Sequence, residues 1–273
     1  MDRLSTLLAH FSLHAATFYS GGLCGTNTFS GDEPRAHIHL LRSGRVAFLD
    51  GSGHRITLEE PSLILVARPN KHRLMATEAD GAELVCATLS FDGGDDNPLS
   101  QALPAHIAMP LRELPNLRGN LDWLFNEAFT RDCGRDAVLN RLFELMVIQL
   151  LRHLMASGTI SSGMMAGLAD SRLARALTLM HDQPASPWSV AQLASAASMS
   201  RASFAAHFRK VVGSTPADYL VGWRISLAQK RLREGRPIAL IADEVGYESP
   251  SALARAFRRK VGASPSEWMQ HDQ

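Results

Sequence analysis

The feature that most constrains this chain is a phrase that occurs twice. Phe208-Arg209-Lys210-Val211-Val212-Gly213 returns as Phe257-Arg258-Arg259-Lys260-Val261-Gly262, an offset of 49 residues. Both copies sit in the same surroundings. Ahead of the first, Ser189 with Gln192 three residues on is a capping-box pattern. Ala191, Leu193, Ala194 and Ala197 give a short helix with a small inner side. Ser198-Met199 reads as a turn, and Ser200 as the cap of a second helix. That helix carries Phe204, Phe208 and Val211 inward, and Ser203, His207 and Lys210 outward. Gly213 suits a helix C′ position, and Pro216 opens the next helix. The second copy runs Ile238, Ile241, Ala242, Val245, then Gly246-Tyr247-Glu248, then Ser249-Pro250, with Leu253, Phe257 and Val261 inward. It closes on Gly262 and Ser264-Pro265. The repeat predicts two helix-turn-helix units. Between them, Ala217–Glu234 is a helix whose Tyr219, Leu220, Trp223, Ile225, Leu227 and Leu232 would hold the units at a fixed separation.

A helix fits the DNA major groove, and two held rigidly can read successive turns on one face. Charge agrees with that partner. Residues 171–273 carry 14 Lys+Arg against 8 Asp+Glu, while residues 1–170 carry 14 against 19. The fragments from Leu193 to Pro216 and from Ile241 to Trp268 resemble the AraC/XylS regulator family almost residue for residue. The resemblance implies that one monomer binds two adjacent major-groove segments of double-stranded DNA. It also implies an activator, and so RNA polymerase as a partner. The positions carried over are Arg201, Ala202, Ala205, Ala206 and Arg209 in the first unit, and Ser251, Ala252, Arg255 and Arg259 in the second. Arg255 is expected to contact a base, since Arg pairs bidentately with guanine. Arg201, Arg209, Arg258 and Lys260 are expected on phosphates, which position without specifying. Ala202, Ala205 and Ala206 leave little hydrogen-bond readout, so the first unit would read thymine methyls or shape.

The first 110 or so residues read as β structure. Turn clusters at Ser20-Gly21-Gly22, Ser30-Gly31-Asp32, Asp50-Gly51-Ser52-Gly53, Asp80-Gly81 and Asp92-Gly93-Gly94 break short apolar runs, as in a sandwich or barrel. Arg45–Asp50, Leu63–Ala67 and Glu83–Phe91 fit strands. Pro104–Leu117, with three prolines, reads as a connection out of the domain. Leu121–Phe129 and Arg135–Met155 read as helices. In the latter Val138, Leu142, Leu145, Met146 and Gln149 form a stripe that suits either a domain core or a homodimer face. Ser157–Gly167 is small, uncharged and linker-like. The fold class expected is α+β multidomain: a barrel over 1–117, a helical segment over 118–156, a linker over 157–170 and an all-helical reader over 171–273.

The β half resembles a cupin barrel and would be a sensor. Gly31 followed after five residues by His37-Ile38-His39 matches the first part of the cupin metal motif, and Pro69-Asn70-Lys71-His72 resembles the second. Strand alternation puts His37 and His39 on one face. Three imidazoles with His72 suit a divalent or copper ion. The glutamate that cupin enzymes add is replaced by Leu40-Leu41-Arg42-Ser43, which argues against an enzyme. No nucleophile triad or phosphate-binding glycine loop appears.

Three cysteines without a Cys-x-x-Cys pair exclude a disulfide scaffold or structural zinc site. The stretch from about Phe18 to Arg73, with Leu84–Thr88 and Met199–Ala205, resembles a cupin-type subgroup that includes a reactive-chlorine-responsive regulator. That resemblance implies a switching disulfide between Cys24 and Cys86, provided their α carbons lie within ~7 Å. Two other readings stand beside it: a small organic effector held without chemistry, and a metal-dependent cupin enzyme fused to a DNA-binding module. No apolar run reaches membrane-helix length and no signal peptide is visible, so a cytoplasmic protein is expected.

Overall fold

The computed structural model describes residues 2–31, 35–94 and 97–271; Asp32 of the second turn cluster lies outside them. The chain forms two compact units, Leu13–Asp95 with Leu103–Ser157, and Met1–Ser12 with Asp96–Ala102 and Gly158–Gln273.

The first unit is an antiparallel barrel of two sheets. Its strands are β1 (Leu13–Leu23), β2 (Gly25–Phe29), β3 (Ala36–Ser43), β4 (Val46–Asp50), β5 (Arg55–Leu58), β6 (Ser62–Val66), β7 (His72–Ala76), β8 (Ala82–Phe91) and β9 (His106–Pro110). One sheet runs β1-β8-β3-β6-β9 and the other β2-β7-β4-β5. Leu41, Val46, Phe48, Ile64, Leu74 and Leu84 pack between them. The proline-rich stretch after Pro104 does not leave the domain. It supplies β9, pairing Ile107 with Leu65 and Pro110 with Ser62. An edge strand tolerates proline at its end because no further strand needs the missing N–H.

Two helices complete this unit, α3 (Arg118–Ala128) and α4 (Arg135–Ser157). The buried stripe of α4 is Leu139, Leu142, Phe143, Met146, Leu150 and Leu154, so the helix serves the core. It is rotated from the expected stripe: Leu145 is 45% exposed, and Val138 and Gln149 are half-buried. Side chains of α4 also protect the barrel edge. Thr17 N–H donates to Asn140 Oδ1 at 2.8 Å and Ala15 N–H to Glu144 Oε1 at 3.2 Å, closing an edge that would otherwise offer free donors.

The second unit begins with α1 (Ser5–His10) and includes α2 (Pro98–Ala102). The first residues therefore do not belong to the barrel as expected. Leu7 and Phe11 are fully buried, and the Phe11 ring meets Trp223 edge-on at 5.4 Å. The expected linker is also corrected: within it lies α5 (Gly163–Ala169), with Met164 to Leu168 all buried. Its small residues serve close packing. A Cβ on Gly167 would stand 2.6 Å from Leu177 Cδ1 and 2.9 Å from Val212 Cγ2.

Then follow α6 (Ala174–Asp182), α7 (Val190–Ala196), α8 (Arg201–Val212), α9 (Pro216–Arg233), α10 (Ile238–Glu244), α11 (Pro250–Val261) and α12 (Pro265–His271). The caps are those the sequence announces. Ser189 Oγ accepts from Gln192 N–H, Ser200 Oγ from Ser203 N–H and Ser249 Oγ from Ala252 N–H. Gly213 and Gly262 close α8 and α11 at φ 86° and 90°. Inward packing differs at three positions: Val211 and Val261 are half-buried, with Val212 buried in the first unit, and Ala191 is exposed. The turns differ in length. The starts of α7 and α10 are 48 residues apart and those of α8 and α11 are 49 apart, so the second turn holds one more residue. Both turns need a left-handed residue, Ser198 at φ 54° and Gly246 at φ 81°. At Gly246 a Cβ would also stand 2.6 Å from the Ala185 backbone.

Strain and collision together set one prediction. Gly246→Ala should destabilise this unit by more than about 2 kcal/mol, whereas Ser198→Gly should be neutral or stabilising by up to about 1 kcal/mol. Urea unfolding of the full chain measures both. A Gly246→Ala protein as stable as the parent would mean that the turn is not tightly packed.

Candidate nucleic-acid interface and barrel histidines

The outward faces of α8 and α11 follow from their buried ones. Phe204 and Phe208, and Leu253 and Phe257, point into the core. That leaves Arg201, Ala202, Ala206 and Arg209 exposed on α8, with Ala205 half-buried. On α11, Ser251, Arg255, Arg258 and Arg259 are exposed and Ala252 is half-buried. Four-residue steps align Ser251, Arg255 and Arg259 in one stripe and Arg201, Ala205 and Arg209 in another. Neither helix has an acidic residue in its first turn, and both end in basic residues. The side chains of Arg201, Arg209 and Arg255 make no ion pair or hydrogen bond among the described residues.

Three expected outward residues are otherwise engaged. Arg258 donates to Glu267 at 3.1 Å. The Ser264 hydrogen bonds, and then Arg258, pull the Glu267 carboxyl down to about 2. Lys260 lies along α9, its Nζ 3.9 Å from where a Gly222 Cβ would be. His207 is half-buried, with its Nε2 2.8 Å from Asp170 Oδ2.

Sequence reasoning missed the group that joins the two units. Arg224 of α9 donates to three backbone carbonyls: Pro184 at 2.6 Å, Ser186 at 3.0 Å and Gly246 at 3.3 Å. Pro184 and Ser186 precede α7, and Gly246 is the turn of the second helix pair. One half-buried guanidinium thus ties both units to the helix between them. No motif marks it, because its acceptors are backbone.

In the barrel, β3 carries His37 and His39 with rings parallel at 6.0 Å, and β7 carries His72 with its centroid 5.2 Å from each. His72 Nδ1–H donates to the Asn70 carbonyl at 2.8 Å, so its Nε2 accepts from His39 Nε2–H at 3.0 Å. That leaves Nδ1 of His39, like Nδ1 of His37, buried without a partner. Burial depresses all three: His37 to about 4, His39 well below the ordinary value, and His72 below it.

Neutral imidazoles are the form that binds metal, and tetrahedral zinc ligands stand about 3.3 Å apart. The His39–His72 pair fits that spacing. His37 does not complete the set, because the donor atoms of the three do not all lie within 4.8 Å of one another. The residues present make a histidine pair and not the expected closed trio. Beside them a cleft of about 350 Å³ is lined by Phe18, Thr28, Phe29, Arg35, His37 and Thr88.

The cysteine pairing is overturned by register. Cys86 lies in β8 opposite Tyr19, while Ala82, four residues away, lies opposite Leu23. Four extended residues span about 13 Å, and Cys24 is only one ~3.8 Å step beyond Leu23. Its α carbon therefore stays at least about 10 Å from that of Cys86, beyond disulfide reach. Cys24 is exposed, whereas Cys86 is buried with its thiol pushed up by desolvation. Cys133 is exposed.

Comparison with known proteins matches these two halves. A cupin family model covers residues 2–156 and a helix-turn-helix domain model residues 193–271. An AraC-like transcription regulator of Streptomyces antibioticus is 32% identical, covering 99% of this chain and 98% of its own. The RCS-specific HTH-type transcriptional activator RclR of Escherichia coli is 29% identical, covering 85% of this chain and 83% of its own. The DNA-binding domain of AdpA, solved with a target DNA, is 34% identical over 36% of this chain and 90% of that one, with a TM-score of 0.34. A cupin barrel carried with a tandem helix-turn-helix reader defines a DNA-binding transcription regulator. The chain belongs to the AraC family of these regulators, and not to the cupin enzymes. No helix among the described residues is long and apolar enough to cross a membrane.

The histidines set a pH dependence. An unfolded histidine titrates near 6.5, and in the native barrel these three titrate lower, so the unfolded state takes up protons first as pH falls. Their contribution is complete above about 6.5 and is lost on acidification toward about 4. The unfolding midpoint should fall with pH across that window, and His37→Asn should make the decline shallower. An unchanged slope in that variant would mean that His37 is not held neutral.

Proposed function

We propose that this regulator reads a bipartite site through unequal units, α11 supplying base readout and α8 mainly backbone and shape contacts, under control of a small effector taken up at the barrel cleft beside His37. The observation that carries the reading is the pair of capped helices, α8 and α11, tied to α9 by Arg224. They differ in their outward faces: Ser251, Arg255 and Arg259 on one, Ala202, Ala205 and Ala206 between two arginines on the other. The effector acts without a Cys24–Cys86 bridge, because the barrel register holds those residues apart. The His39–His72 pair gives a metal ion a second route to the same barrel. Activation through RNA polymerase is proposed from RclR, which is named an activator.

Anisotropy titration of the full chain on DNA upstream of its own gene tests this. Arg255→Ala should cost about 1–3 kcal/mol on the specific site and relax preference at one base pair. Arg209→Ala should weaken specific and random DNA alike and lower the salt slope by about 1. Arg224→Ala should leave each half-site readable but remove the gain from having both on one duplex. Equal losses for Arg255→Ala on specific and random DNA would overturn the assignment of base readout to α11.

A further inference from the structure

Two edges of the barrel come together around a second cluster of donors. Asp50 ends β4 and His54 precedes β5, the edge strand of one sheet. His106 begins β9, the edge strand of the other. Donor atoms of Asp50, His54 and His106 all lie within 4.8 Å of one another, the one such trio among the described residues. His106 Nδ1 stands 4.0 Å from Asp50 Oδ2, and the His54 and His106 rings stack at 6.0 Å with 24° between planes.

We propose that Asp50, His54 and His106 bind a late first-row divalent metal ion, of which Zn²⁺ is the representative, and that the ion clips the two sheets together. The carboxylate is already oriented. Its Oδ1 accepts from Ser52 N–H at 2.9 Å, Ser52 Oγ–H at 2.7 Å and His54 N–H at 2.8 Å. Those bonds hold the group ionised below its ordinary range, and they leave Oδ2 turned toward His106. Orientation of a ligating carboxylate by neighbouring donors is what a metal site requires. The ring nitrogens set the class of ion. Two imidazoles and one carboxylate suit Zn²⁺, Co²⁺, Ni²⁺ or Fe²⁺, and are poor for Ca²⁺ or Mg²⁺, which take oxygen. Bond lengths of about 2.0–2.2 Å need ligands about 3.3 Å apart, so the trio must contract by side-chain rotation. Exposed His54 on its hairpin is free to make that move. Three protein ligands leave a fourth position for water.

The site is separate from the histidine pair of β3 and β7. Phe48 stands between the two, its ring 5.6 Å from His72 and 5.7 Å from His106. The two are nevertheless adjacent in register, since Asp50 pairs with His72 across β4 and β7. The proposal does not depend on how the reader engages DNA.

The test is calorimetric titration of the chelator-treated full chain with Zn²⁺ alone, followed by thermal unfolding with and without the ion. Binding should raise the unfolding midpoint. His54→Ala and His106→Ala should each weaken it by more than about 100-fold, since even supporting groups cost 10–100-fold. His72→Ala should retain it, and His54→Cys, which restores a zinc ligand, should recover it. The metal-free midpoint of His54→Ala should match the parent, showing that the variant folds. Absence of binding by the parent chain would overturn the proposal. So would binding to the His72→Ala chain that survives both His54→Ala and His106→Ala, or parent binding abolished by His72→Ala but not by either of those substitutions.

Discussion

Arg224 is the interaction on which the reader's geometry depends. A helix-turn-helix pair is small, and two of them recognise a composite site only when their separation and rotation are fixed before DNA arrives. α9 supplies a spacer of 18 residues, about 27 Å at 1.5 Å per residue. Length alone leaves the pairs free to swivel about that axis. The guanidinium removes the freedom by taking carbonyls from both sides of α9, and the Ala185 backbone lies against Gly246 at the same junction. Its planar fork suits three acceptors in fixed positions in a way that an ammonium does not. The left-handed residue at Gly246 is thus part of the clamp as well as part of the turn.

In the barrel, pairing register decides chemistry more than composition does. Strand alternation turns Phe48 and Asp50 to one side of β4, and the pairing of Asp50 with His72 sets that side against β7. Two histidine groups thereby arise on either side of one phenylalanine, though their members are scattered from His37 to His106. The same register separates Cys24 from Cys86, which share a barrel, since Cys24 follows the end of β1 and Cys86 lies four residues along β8 from the partner of Leu23. A small domain does not place its thiols within reach merely by being small.

What was legible in the sequence was local. Caps, turns and terminating glycines depend on residues within four positions of one another, and the repeat doubled the signal. What was not legible involved partners far along the chain. Ser157–Gly167 has the composition of a linker, but Gly167 is small because Leu177 and Val212 crowd it. β9 is hidden among prolines that its edge position tolerates. The placement of α1 beneath Trp223, the carbonyl acceptors of Arg224 and the convergence of His106 on the β4–β5 hairpin leave no mark that a window of sequence can show. The histidine motif is legible as a cluster in sequence, but the spacing of its rings is not, because alternation gives a side chain its face but not its reach.

The two reading helices share length, caps and termini, so their difference carries information. At equivalent positions α8 has Ala202 and Ala206 where α11 has Ser251 and Arg255. Alanine cannot donate a hydrogen bond to a base, but it lets the helix lie close to the groove floor and to thymine methyls. The arginines at 201 and 209 flank that smooth centre and suit phosphates on either side. Under the proposed reading, an α8 of this kind follows the groove, while α11 interrogates it. On that reading rigid coupling through α9 matters twice: contacts of α8 would add affinity without sequence preference, and they would hold Arg255 in the register where one base pair decides the outcome.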